Sequence, residues 1–212
     1  MTEDIAVKDI LVCFIVDESG SMESCRDDVI GGFNAYLRDV GRQDGRTAVS
    51  LTKFNTTPTV VTLNTPIAEV SPLSERTYTP GGMTALLDAV GGTILAVDRE
   101  LATSERPVKV LVVIVTDGYE NASTTYSAGV VKELIEVHEA RGSWTFVYLG
   151  ANHDAWAVGE TLGIAAGNRV DYAPTRVQAV MEAVAEGTSR YRVGRALRTD
   201  AFVTGEEKSR LA

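Results

Sequence analysis

The sequence predicts an α/β protein with a mostly parallel central sheet and helices on both faces. Three observations predict it. Apolar, strand-like runs alternate with amphipathic helical stretches along the chain. Two of the runs, 10–16 and 108–115, are apolar at almost every position, as in strands covered on both faces. No linker, internal repeat or low-complexity tract divides the 212 residues, a length that suits one domain with a short extension.

The elements follow in order. The first strand covers 9–16. Residues 27–42 carry Val29, Ile30, Phe33, Leu37 and Val40 at helical spacing, against the cost of Gly31-Gly32 in mid-helix. A strand at 48–54 and a β-rich stretch at 59–63, joined by an Asn/Thr/Pro link, read as a hairpin and so add an antiparallel edge strand. Residues 66–80 read as a loop, and Thr84 begins a helix through Leu86, Leu87, Val90, Ile94, Leu95 and Val97. The β-branched strand at 108–115 precedes a helix at 127–141, a strand at 144–149, a short helix at 155–162 and a helix at 175–190 behind Pro174. The domain is expected over 1–192. Residues 193–212 show no pattern and read as a tail, mobile or partner-docking.

Composition narrows the function. A formal net charge of -9 argues against phosphate-backbone binding, so nucleic acid is not an expected partner. The local run of Arg190, Arg192, Arg195 and Arg198 reads as a solvated basic helix end rather than a docking patch. No apolar segment reaches membrane-spanning length, so no membrane contact is expected. The acidic start lacks the basic region of a secretory signal. The two cysteines, Cys13 within the first strand and Cys25, form no disulfide framework, and a cytoplasmic setting is expected. Oligomeric state is left open.

Chemistry concentrates where strands end. If the chain stays extended through Asp17-Glu18-Ser19-Gly20-Ser21, then Asp17, Ser19 and Ser21 face one point. Gly81-Gly82-Met83-Thr84 leaves a hydroxyl at the mouth of a helix, and Thr116-Asp117-Gly118 follows the 108–115 strand. Ligands of open α/β sheets sit beyond the carboxyl ends of strands at the point where strand order reverses. Carboxylate and hydroxyl oxygens without His or Cys suit a hard cation, Mg²⁺ first, with Mn²⁺ or Ca²⁺ as alternatives. Taken singly, each piece is an ordinary turn or helix cap. Together, in this order and at these boundaries, they form a candidate metal site of Asp17, Ser19, Ser21, Thr84 and Asp117. Met22, Met83 and Tyr119 flank it as a candidate rim.

Asp17-x-Ser19-x-Ser21, Thr84 behind Gly-Gly and Thr116-Asp117-Gly118 resemble the metal-ion-dependent adhesion site of von Willebrand factor A (vWA) domains. The resemblance spans roughly residues 9–164. It implies a doubly wound, Rossmann-like sheet of order 3-2-1-4-5-6. It also implies that Ser19 and Ser21 hold the ion directly, Asp17 and Asp117 largely through water, and Thr84 either way. A partner protein's Asp or Glu would complete the coordination. Residues 152–156 and Gly163-Ile164 are similar to stand-alone bacterial and phage members.

A hydrolase is the alternative at the same strand ends. A haloacid dehalogenase-like phosphatase needs a second Asp two residues after its nucleophile, and that position here is Ser19. A serine hydrolase needs a base. His138 reads as a surface helix position, and His153 is the one histidine near the functional edge, where a structural role is favoured. No Gly-x-Ser-x-Gly, Gly-x-Gly-x-x-Gly or Gly-Lys-Ser/Thr motif is present. Non-catalytic recognition is therefore expected, with a scaffold carrying a vestigial metal site as a further alternative.

Overall fold

The computed structural model describes residues 9–103, 108–151, 155–194 and 202–211. Six strands, β1 (Ile10–Asp17), β2 (Thr47–Phe54), β3 (Pro58–Pro66), β4 (Lys109–Thr116), β5 (Trp144–Gly150) and β6 (Arg169–Asp171), form one sheet of order β3-β2-β1-β4-β5-β6. Every pair is parallel except β2–β3, the expected hairpin. The helices are α1 (Arg26–Gly41), α2 (Leu86–Leu101), α3 (Ala128–Ala140), α4 (Ala155–Thr161), α5 (Val177–Val193) and α6 (Gly205–Leu211).

Alternation along the strands divides the core between two faces. Val12, Phe14 and Val16 of β1 pack with Leu111, Val113 and Val115 of β4 beneath α1 and α5. Leu11, Cys13 and Ile15 pack with Val110, Val112 and Ile114 beneath α2 and α3. All eight residues of β1 are buried, which is why its sequence is apolar rather than alternating. Phe14 anchors the first face, meeting Phe33 and Tyr36 edge-on at centroid distances of 5.3 and 4.8 Å. Close approach explains one glycine of the pair in α1: a Cβ on Gly32 would stand 2.9 Å from Met181 Cγ of α5, whereas one on Gly31 would meet nothing within 4 Å. A larger residue would push the two helices apart.

Several details depart from the pattern reading. β3 runs on to Pro66, through register shifts opposite β2 and a positive φ of 47° at Asn64, which broke the alternation. β6 has three residues, too few to show a period. His138 is buried, not on the surface. Its ring meets Trp144 edge-on at 4.6 Å and Nδ1 lies 2.7 Å from the Leu134 carbonyl. Arg192 is not solvated either: it is buried and donates to the Asp44 carbonyl and to Thr47 Oγ1. Arg195, Arg198, His153 and the 152–154 part of the 152–156 motif lie outside the described residues. Among the described residues no helix is long and apolar enough to cross a membrane.

Within the segment expected to be a tail, the described residues 202–211 contribute to the core. Phe202 and Val203 are fully buried, and Phe202 packs on Tyr191 of α5. Glu207 of α6 accepts two bonds from the Arg190 guanidinium, at 2.9 and 3.0 Å. Phe202→Ala is expected to destabilise the protein by about 3–5 kcal/mol, as for other buried aromatic truncations. Urea unfolding measures it, and a loss near zero would mean the segment is dispensable.

Candidate metal centre

Parallel pairing sets the site. Val16 of β1 stands opposite Val115 of β4, so both chains leave the sheet at the same level, β1 at Asp17 and β4 at Thr116-Asp117. Strand order reverses between these two neighbours: β1 continues towards β2 and β4 towards β5.

The side chains then connect. Ser19 N–H donates to Asp17 Oδ1 at 2.7 Å, and the Thr116 hydroxyl donates to Asp17 Oδ2 at 2.6 Å. Ser19 Oγ and Ser21 Oγ are 3.2 Å apart, and the Ser21 hydroxyl donates to Asp117 Oδ1 at 2.5 Å. Thr84 reaches the same place from the third loop. A Cβ on Gly118 would stand 2.9 Å from Thr84 Oγ1 and 3.2 Å from Asp17 Oδ2, so only glycine leaves that space open. All five predicted oxygen-bearing side chains are thus brought together. Asp17, Ser19 and Thr84 are buried, whereas Ser21 is exposed, which gives the cluster a closed floor and an open mouth.

Burial raises the Asp17 carboxyl above its ordinary range. Hydrogen bonds from Thr116 and Ser19 offset part of this, and the nearby Asp117 charge adds to it. Asp117 is raised too, by burial first, with the Ser21 hydroxyl working against it. Among the described residues no three His, Cys, Asp or Glu side chains gather as a metal cluster. The donors here are two carboxylates and three hydroxyls, a set that fits a hard cation.

A supporting layer escaped the sequence reading. Tyr78 donates its hydroxyl to the Asp17 carbonyl at 2.5 Å. Asn121 clamps Thr84, accepting from its N–H through Oδ1 at 2.8 Å and donating its own N–H to its carbonyl at 3.0 Å. With its backbone held this way, Thr84 precedes the helix, and α2 starts at Leu86 rather than at Thr84. Glu120 accepts from the N–H groups of Leu87, Ala122 and Ser123, and Asp88 from those of Thr124, Thr125 and Tyr126. Asp88 lies in the first turn of α2 and Glu120 and Asn121 in the loop after β4, and most of these bonds join residues more than 30 positions apart, which local pattern does not signal. Glu18 turns away from the cluster to Lys53, at 2.8 and 3.0 Å, and to Thr79 N–H. Of the three expected rim residues, Met83 and Tyr119 are 49% and 56% exposed. Met22 is not at the rim: the turn at Gly20–Cys25 points it into the core, where it is fully buried.

No family model matches the chain, and no curated protein matches it by sequence. Solved structures do. Proximal thread matrix protein 1 from the mussel byssus, in a structure with a zinc-occupied MIDAS motif, is 16% identical over 85% of this chain, with a TM-score of 0.60. The vWF domain of a type V pili tip protein from Porphyromonas gingivalis is 10% identical over 89% of this chain and 97% of that one, with a TM-score of 0.63. The manganese-loaded TRAP protein of Plasmodium vivax is 15% identical over 84% of this chain and 74% of that one, with a TM-score of 0.58. This chain spans 46% of the byssus protein's length. The fold is that of a von Willebrand factor A domain, doubly wound with one antiparallel edge strand.

A carboxyl whose pKa is raised by folding favours the fold when protonated. That contribution is complete below the unfolded-state value and is lost as pH rises through the raised one. In chelator at neutral pH, Asp117→Asn keeps an acceptor for Ser21 and removes the charge. It is therefore expected to melt at the same temperature as the parent or higher, by scanning calorimetry. A lower Tm would show that the chain itself compensates the Asp117 charge.

Proposed function

We propose that the chain is a metal-dependent protein-binding module. Asp17, Ser19, Ser21, Thr84 and Asp117 hold one divalent cation, Mg²⁺ in preference to Mn²⁺ or Ca²⁺. The observation that carries this reading is the meeting of a buried carboxylate, a half-buried one and three hydroxyls from three loops around the space beside Gly118. The zinc-occupied MIDAS motif of the byssus protein and the manganese-loaded TRAP protein, both of the same fold, support a divalent ion here.

The donor set favours binding over catalysis. Two carboxylates only balance the ion's charge, which leaves it electrophilic enough to take a further anionic ligand. The open mouth at Ser21 admits an Asp or Glu side chain of a partner protein, and exposed Met83 and Tyr119 offer apolar contact around it. Among the described residues the histidine is His138, which packs on Trp144 at the opposite end of the sheet and serves no base role here. An adaptor or assembly role follows. Cys13 and Cys25, both buried free thiols, are consistent with a reducing cytoplasmic setting.

Calorimetric titration with MgCl₂ and MnCl₂ tests the reading. The parent should bind saturably and Ser19→Ala at least about tenfold more weakly, since even indirect supports of a metal ligand typically cost about 10–100-fold. Ser19→Ala is a cleaner probe than Asp17→Ala, which would strip the acceptor from Ser19 N–H and Thr116 Oγ1. Immobilised protein should retain its partner in Mg²⁺ and release it in chelator. Equal capture in both, or equal ion binding by the variant, overturns the proposal.

A further inference from the structure

Of the buried polar atoms without a hydrogen-bond partner among the described residues, the Tyr172 hydroxyl is the one beside the candidate metal centre. Buried hydroxyls normally find partners, because leaving one unmade sacrifices its hydration for nothing. A phenylalanine would fill the same apolar space without that cost. The position therefore calls for a use of the oxygen.

Register shows where that oxygen can act. Thr116 pairs with Gly150, and Gly150 with Asp171. The ladder runs one residue further: Ala151 N–H donates to the Thr116 carbonyl at 3.1 Å and Tyr172 N–H to the Gly150 carbonyl at 3.0 Å. Asp117, Ala151 and Tyr172 thus form one row just past the strand ends. Val115, Leu149 and Val170, two residues earlier on each chain, all pack on the α1–α5 face, and Ala151 and Tyr172 join the same cluster. In that row Ala151, with a methyl side chain, stands on the strand between Asp117 and Tyr172. Cys25 and Met22 close the cluster from the turn above. Burial pushes the Tyr172 phenol well above its ordinary range, and Cys25, Asp117, Tyr148 and Asp17 push it further.

We propose that Tyr172 is a positioning residue of the metal centre, whose hydroxyl serves as the inner hydrogen-bond donor for Asp117 when a cation occupies the site. The inference rests on the metal reading above. In the arrangement described here Asp117 Oδ1 takes the Ser21 hydroxyl. Ser21 is also a candidate ligand, so a cation and Asp117 draw on the same oxygen. A second donor, from beneath and out of the solvent, keeps the carboxylate oriented while Ser21 serves the ion. The Tyr172 hydroxyl, buried without a hydrogen-bond partner in the same row as Asp117, is available for that task and is otherwise a burden to the fold.

Tyr172→Phe removes the oxygen alone. Melting in EDTA and calorimetric Mg²⁺ titration should move in opposite senses. In EDTA the variant melts at the same temperature as the parent or higher, because a buried unpaired hydroxyl has gone. Its Mg²⁺ affinity falls about three- to tenfold, the worth of one net hydrogen bond. A purely structural hydroxyl would instead lower the melting temperature in EDTA and leave Mg²⁺ affinity unchanged, which overturns the proposal. Unchanged affinity with unchanged melting overturns it equally. If the parent itself binds neither Mg²⁺ nor Mn²⁺, the metal reading falls and this inference with it, whereas parent binding with an unaffected variant removes the inference alone.

Discussion

Parallel pairing of β1 with β4 is the constraint on which the rest of the molecule depends. Because Val16 and Val115 stand opposite each other, Asp17 and Asp117 must leave the sheet side by side, in surroundings that disfavour both charges. Neutral donors meet these carboxylates: the hydroxyls of Thr116 and Ser21 and the N–H of Ser19. Such bonds orient carboxylates without neutralising them.

The contrast with Glu18 is instructive, since it lies one residue from Asp17 and is also buried. Its charge is met within the chain by Lys53 at 2.8 Å, an ion pair that also ties β2 to the 74–79 turn through the Thr77 carbonyl. Asp17, by comparison, is surrounded by hydroxyl and amide donors and the like charge of Asp117. A chain that places a lysine against Glu18 gives Asp17 neutral hydroxyl and amide donors, the arrangement expected where a metal ion supplies the positive charge. The loops are also tied to one another. Asn121, Glu120 and Asp88 tie the segment after Asp117 to the start of α2, so Thr84 and Asp117 are held relative to each other before any ligand arrives.

Much of this was legible in the sequence because it is written in short-range pattern. The unbroken apolar runs of β1 and β4 declare strands covered on both faces, and the Asp, Ser and Thr residues fall at their ends. What pattern could not show was long-range packing. Asn121 and Thr84 are 37 residues apart, and nothing in their neighbourhoods announces the clamp. Met22 stands next to a site residue yet turns inward, because a six-residue turn with 3₁₀ geometry reverses the direction of its side chain. His138 and Arg192 look like solvent-facing helix positions, but ring packing on Trp144 and bonds to Asp44 and Thr47 draw them inside. Among the described residues after α5, apolar burial falls on the adjacent pair Phe202 and Val203, which is too short a run to show a period.

The location of the ion is the claim on which the functional reading stands. Crystals grown with MnCl₂ and measured near the manganese absorption edge locate it directly, through the anomalous difference map. The expected result is one strong peak at coordination distance from Ser19 Oγ and Ser21 Oγ, with Asp17, Thr84 and Asp117 around it. An empty cluster at saturating Mn²⁺, or a peak bound elsewhere on the molecule, would contradict it.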